Sequence, residues 1–403
     1  MRNRWFIALA AIGLHISIGN VYAWSVLTRP IMVDMGFTLS QTTWTFSLAI
    51  LMLGLSAGFL GSFAEKIGPK KSGLLAMLFW VTGLFGTAYA LSIHNLTLLY
   101  LFYGIIGGIG LGIGYITPVS TLVKYFPNRP GFATGLAIMG FGFASLIAGP
   151  LMQYLVAQVG LIDNFIILGL IYLVVMGASS LYLKAPQPKQ PTRTTKDKST
   201  MYVHNHGMLA NDAMKTWQFG ALWWVFFINI TCGIGLLSLA SPMAQETIGM
   251  TPVAAASLVG IIGIFNGGGR IAWSTISDYL GRAQTYILFF IIEIVAFYLL
   301  AQTNSALTFQ ILILLIITCY GGGFACMPAY LADLYGIRQL STIHGRILTA
   351  WGLAGIVGPM LVSYFHEAGY GYTTALECFA ALFVINTIIA IVLKLYGKRE
   401  LHN

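Results

Sequence analysis

A single guanidinium stands where charge is expensive. Arg270 lies inside a long run of apolar residues, with Asn266 one helical turn before it and Gly267, Gly268 and Gly269 between them. A charged side chain at the centre of a bilayer-spanning helix costs at least about 2.5–3.5 kcal/mol on insertion scales, so such a group faces a cavity or a partner. Eight residues separate Arg270 from Asp278. At the helical rise of about 1.5 Å per residue, this sets the guanidinium about 12 Å inside the run, near mid-membrane. Arginine cannot be neutralised there, and its planar fork matches a carboxylate. The chemistry implied is recognition of a small organic anion. Asn266, on the same helical face, either holds the guanidinium or reaches a substrate hydroxyl. The competing reading is a structural ion pair, for which the clear intramembrane acid is Glu293.

Two other titratable residues interrupt apolar runs. His15 either shuttles protons, since histidine titrates near neutral pH, or is hydrogen-bonded to a neighbouring helix. Glu293 is a proton site or a helix partner. The aromatic residues Tyr22, Trp24, Tyr115, Tyr320 and Phe324 are candidates to line a pocket, although aromatics are 13% of the chain and most must be packing or interface anchors. Cys232, Cys319, Cys326 and Cys378 lie in apolar runs without metal-ligand spacing and read as packing residues. No nucleotide loop, nucleophile constellation or metal cluster is evident. The expectation is therefore a protein that is not an enzyme and uses no cofactor or metal.

The elements that position these residues are helices in lipid. Of 403 residues, 57% are hydrophobic and 8% charged, against about 25% charged in ordinary soluble domains. The long continuous apolar stretches exclude an outer-membrane barrel, whose strands alternate over short segments. Twelve stretches approach the ~20 residues of one crossing: 5–28, 42–63, 72–92, 96–120, 132–157, 162–184, 217–240, 253–275, 284–302, 307–330, 346–365 and 373–395. The first follows Arg2 and Arg4 without a small-residue cleavage site and reads as a retained helix. A polar stretch rich in Pro, Lys and Arg lies between the sixth and seventh. The organisation expected is an N-terminal six-helix bundle over 1–184, a cytoplasmic linker over 185–215 and a C-terminal six-helix bundle over 216–403. With both termini inside, all of the 21 Lys and Arg except Arg29 and Arg270 fall in cytoplasmic segments. The net charge of +9 thus has a topological explanation, and nucleic acid is not expected as a partner.

Internal repetition supports two halves. Glu65-Lys66-Ile67-Gly68-Pro69-Lys70 follows the second span, and Asp278-Tyr279-Leu280-Gly281-Arg282 follows the eighth. Pro118 and Tyr125 recur as Pro328 and Tyr335, and Gly149-Pro150 as Gly358-Pro359. These pairs are separated by 213, 210 and 209 residues. In each turn the glycine permits the reversal while carboxylate and cations pair with neighbouring helix ends. Glu65, Lys66, Gly68 and Lys70, with Asp278, Gly281 and Arg282, are expected to form conformational latches. Gly104, Gly108 and Gly112, four residues apart, read as a close helix contact.

The two turn motifs resemble the loop signature of the major facilitator superfamily, with Glu65 for the usual Asp and Ser274 for the leading Gly of the second copy. Further segments are similar to its monocarboxylate transporter and oxalate/formate antiporter group, above all to bacterial lactate-type carriers. They are Ile16 to Ser25, Gly104 to Leu111, Lys124 to Phe126, Gly135 to Gly140, Gly321 to Asp333 and His344 to Gly352. The resemblance implies an all-α membrane protein of twelve transmembrane helices in two pseudo-symmetric bundles. It makes Arg270 the carboxylate-binding arginine, puts Asn266 where animal carriers have an acid, and places Tyr115 in the pocket. Val26 stands roughly where animal carriers have a lysine. Trp351 stands where the oxalate carrier has a second cation.

Two carboxylates at close range require two cations. One arginine beside Trp351 suits one carboxylate and a small apolar remainder, such as lactate, pyruvate or formate. The reading is a multi-pass inner-membrane secondary transporter, monomeric, that carries a small organic anion with a proton by alternating access. The alternatives are an anion antiporter, or a membrane sensor on a carrier scaffold, which the near-complete use of the chain by spans disfavours.

Overall fold

The computed structural model describes residues 3–125, 130–184, 207–336 and 339–396, all helix and short connections apart from one isolated bridge between Gly207 and Gly336. The N-terminal half comprises α1 (Arg4–Gly19), a 3-10 turn (Asn20–Ala23), α2 (Ser25–Met35), α3 (Leu39–Ile67), α4 (Pro69–Ser92), α5 (Leu96–Leu99), α6 (Gly108–Tyr125) and α7 (Pro130–Tyr182). After α8 (Ala210–Ala213) come α9 (Trp217–Ser238), α10 (Ala240–Ile248), α11 (Pro252–Leu280), α12 (Arg282–Gln302), α13 (Ala306–Tyr335), α14 (Leu340–Phe365) and α15 (Gly371–Tyr396). Ten helices among the described residues are long and apolar enough to cross a membrane. Two of these stretches, Leu136–Tyr182 and Thr342–Tyr396, run 47 and 55 residues, about twice one crossing. The first reverses at Gly160 (φ 87°) and the second at Gly369 and Gly371 (φ 85° and 67°). Glycine enters this left-handed region without the Cβ clash that deters other residues. Twelve crossings result.

Local chemistry starts the helices where the spans begin. Thr38 and Gln41 form a reciprocal capping box on α3, satisfying amides that have no intrahelical partner. Thr251 caps α11 with Pro252 in the first turn, where a missing N–H costs nothing. The helices overrun the hydropathy-based spans because capping and packing, not apolarity, set their ends. The first span is not one helix, since Asn20–Ala23 tightens into a 3-10 turn before α2.

Packing between the bundles rests on small residues. A Cβ on Gly54 of α3 would meet the Gly352 backbone of α14 at 2.6 Å, and one on Gly142 of α7 would meet Gly267 of α11 at 3.0 Å. These seams let backbones approach where side chains would hold them apart. The stripe Gly104, Gly108 and Gly112 packs against Leu48, Ala49 and Leu53 of α3 inside the first bundle, as the tight-packing reading requires. At the end away from Arg4, polar groups join the halves. Glu367 accepts from the Ser40 amide (2.7 Å) and hydroxyl (2.5 Å), Ser363 donates to Thr43 (2.9 Å), and Arg29 donates to Gln245 (2.9 Å).

At the end bearing Arg4 and Lys394, Gly68 (φ 81°) and Gly281 (φ 87°) adopt matching conformations in the two repeated turns. Arg282 pairs with Asp278 (2.5 Å) and Asp333 (3.7 Å). Lys66 and Lys70 are exposed, and the side chain of Glu65 lies outside the described residues. Of the stretch read as a linker, 185–206 is outside them too. Its last part packs on the C-terminal half: the Met208 amide donates to the Tyr335 carbonyl (2.9 Å), and Arg346 donates to Asn211 (2.7 Å).

Candidate functional site

Arg270 is 2% exposed. Its Nε donates to Asn266 Oδ1 at 3.2 Å, one turn earlier on α11. Asn266 therefore holds the guanidinium. Among the described residues no carboxylate lies within ion-pair distance of Arg270, and its buried Nη1 has no hydrogen-bond partner. The pairing with Glu293 is not made. Glu293 sits elsewhere in the second bundle, fully buried, accepting from Asn229 Nδ2 at 3.3 Å with its other oxygen unpartnered.

Around the guanidinium six rings close a circuit. Phe324 lies under Arg270, its centroid 5.0 Å from Cζ. From Phe324 the circuit passes to Trp351 (4.9 Å), Tyr115 (5.2 Å), Phe141 (5.6 Å), Tyr22 (4.8 Å) and Tyr320 (6.3 Å), and returns to Phe324 at 5.4 Å. Tyr22, Tyr115 and Phe141 come from the first half, the other three from the second. The Tyr22 and Tyr320 hydroxyls, 2.8 Å apart, bond the halves directly, and Tyr22 and Tyr115 also interact with Arg270. None of the six rings is more than 4% exposed, so the cage is shut from both ends. Arene faces attract the cation and exclude water. The bare Nη1 retains hydrogen-bonding capacity of the kind a carboxylate oxygen can accept.

Of the pocket residues expected from sequence, Tyr22, Tyr115, Tyr320, Phe324, Trp351, Asn266 and Arg270 gather here. Trp24 does not: it packs on Tyr103 at 4.5 Å inside the first bundle. Phe141 was missed, although its place between Gly140 and Gly142, where the backbone nears α1 and α11, was the available signal. Asn229 was missed because an amide in an apolar run resembles any satisfied helix contact. His15 is fully buried behind Tyr115, stacked on it at 5.4 Å, with Nδ1 at 2.5 Å from the Ala137 carbonyl and Nε2 at 2.9 Å from the Tyr115 carbonyl. A separate cavity of about 320 Å³, lined by Phe59, Trp223 and Arg346 among others, lies near the basic end.

A family model described as Major Facilitator Superfamily matches residues 7–292 and 269–401. The chain belongs to the Major Facilitator Superfamily. This superfamily member is 30% identical to the MFS-type transporter YhjX of Escherichia coli, over 88% of this chain and 86% of that protein. It is 26% identical to the oxalate:formate antiporter of Oxalobacter formigenes, over 93% and 87%, and 21% identical to human monocarboxylate transporter 14, over 96% and 90%. Its fold matches an inward-facing bacterial homologue of the lysosomal transporter Spinster with a TM-score of 0.76 at 14% identity, covering 96% of each chain. These likenesses place it among multi-pass membrane transporters, in the monocarboxylate and oxalate/formate group.

Proposed function

We propose that this protein is a secondary transporter of small monocarboxylates, lactate- or pyruvate-like, that moves them together with a proton by alternating access. The observation that carries this reading is the unpaired Arg270 within a shut aromatic cage built equally from both halves. A buried guanidinium without a counter-ion is costly, and a bound carboxylate removes that cost. The rings then enclose the apolar remainder of the anion. Trp351 in the circuit leaves one cation facing the cage, which favours one carboxylate over two. The named functions of relatives, an oxalate:formate antiporter and a monocarboxylate transporter, agree on the class of cargo and differ on charge.

The basic end, with both termini and 185–206, is assigned to the cytoplasm of a bacterial inner membrane by its lysines and arginines. A single protomer contains the whole cage, so a monomer suffices. Uptake of labelled lactate and pyruvate into vesicles reconstituted with purified protein tests the proposal. Gradient-driven accumulation, inhibited by the other monocarboxylate more than by oxalate, is expected. Preference for oxalate, with indifference to a proton gradient and to a protonophore, would establish the exchanger reading instead.

A further inference from the structure

We infer that His15 is the group that holds the transported proton, as an imidazolium donating from both ring nitrogens while the cage is shut around the anion. The inference rests on the proton-coupled reading above and assigns its proton site. It starts from hydrogen-bond accounting. A neutral imidazole has one N–H and one lone pair. Here Nδ1 faces the Ala137 carbonyl at 2.5 Å and Nε2 faces the Tyr115 carbonyl at 2.9 Å. Carbonyl oxygens only accept, so in a neutral ring one nitrogen lone pair would point at an oxygen lone pair. Both contacts are satisfied only when both nitrogens carry hydrogen.

His15 is fully buried and faces the like charge of Arg270, so an imidazolium there is desolvated and repelled; two charge-assisted hydrogen bonds, and the carboxylate when it is bound, act against these costs. The titratable and charged groups facing it are few. From α6 comes Tyr115, stacked on the ring, and from α11 comes Arg270, reached past Tyr115. From α7 the neighbours are Ala137, Gly140 and Phe141. No carboxylate among the described residues pairs with it.

Tyr115 joins the two events. Its carbonyl holds the His15 proton, while its ring forms part of the cage against Trp351 and Phe141. Pro118 interrupts the hydrogen-bond ladder of α6 one turn further on, which loosens the backbone that carries Tyr115. An anion that repositions the Tyr115 ring therefore moves the acceptor of the His15 proton. Charge balances over the cycle. The proton enters from water onto the free ring nitrogen with the carboxylate, and both leave to water on the other side. The loaded cage, with Arg270, His15 imidazolium and one carboxylate, carries the same net charge as the empty cage with neutral His15. Proton alone or anion alone changes it, which disfavours closure around either one.

The test uses the purified full-length protein with pyruvate as probe. Calorimetric titration in two buffers of different ionisation enthalpy reads the protons taken up per pyruvate bound. Near neutral pH, about one is expected for the wild type and close to none for His15→Gln, with about one retained in Glu293→Gln. Undiminished proton uptake in His15→Gln would overturn the assignment. Failure of all proteins to bind pyruvate, lactate or oxalate would instead remove the transport reading. A second measurement needs no variant. In wild-type protein saturated with pyruvate and carrying ring-¹⁵N histidine and carbonyl-¹³C tyrosine, solid-state NMR should find one doubly protonated histidine ring whose Nε2 is close to a tyrosine carbonyl. A singly protonated ring at that carbonyl would overturn the inference.

Discussion

In the first half the leading helix buries His15; in the second it buries Asn229. They stand at matching places, each four residues before a glycine packed against an aromatic-bearing helix, Gly19 on Phe141 and Gly233 on Tyr320. His15 meets two backbone carbonyls, one from the helix that carries Tyr115 into the cage. Asn229 instead meets the Glu293 carboxyl, away from the guanidinium. The duplicated scaffold thus contributes equal numbers of rings from each side while dividing the charged chemistry. The second half holds the fixed cation, Arg270, and the first holds His15, the group proposed to carry the proton. A fixed cation recognises an anion at every pH, whereas a titrating group on the opposite half can follow the proton gradient.

Substitutions that blur this division should act in a graded way. Arg270→Lys should lower kcat/KM for pyruvate uptake by roughly 100-fold or more, because an ammonium keeps the charge but loses the fork and the contact with the Phe324 face; near-normal uptake would remove Arg270 from recognition. Trp351→Lys adds a second fixed cation, on the same half as the first, and should raise oxalate's potency relative to pyruvate by roughly tenfold, a change worth about 1.4 kcal/mol. Competition uptake in vesicles measures it, and unchanged selectivity would show that ring-side charge does not choose the cargo. Asn266→Ala frees Arg270 Nε without removing the cation. It should raise KM roughly fivefold, in keeping with the ~1 kcal/mol of one hydrogen bond, and an effect as large as that of Arg270→Lys would make the amide a direct ligand. The smallest effect is expected from Glu293→Gln, which keeps the bond to Asn229. Gradient-driven uptake should stay within about twofold of wild type, and its loss would move the titrating group into the second half.

Much of this was legible in residue order. Arg270 stood out as a candidate because a charge in an apolar span needs a reason, and the structure buries it among aromatic rings. The repeated turns around Gly68 and Gly281 announced the duplication, and their matching backbone angles are its physical expression. Asn266 was placed on the face of Arg270 by helical spacing alone. The aromatic residues were less readable: Tyr22 and Trp24 lie two apart, yet one enters the cage and the other turns to Tyr103. The 3-10 turn over Asn20–Ala23 lies between the α-helices on either side, so no helical wheel drawn through the first span applies there.

The sequence by itself determined the solvent, the number of crossings and the repeated turns, and it offered Arg270 as a candidate cation inside a span, because each depends on local composition, spacing or repetition. Only the tertiary structure decided that six rings from both halves close around Arg270, that Glu293 answers Asn229 and not the arginine, and that both nitrogens of His15 face carbonyls. Those outcomes depend on how glycine seams set the distance and rotation between helices more than a hundred residues apart, and a helix's own residues carry no record of which neighbour's carbonyl will lie against them.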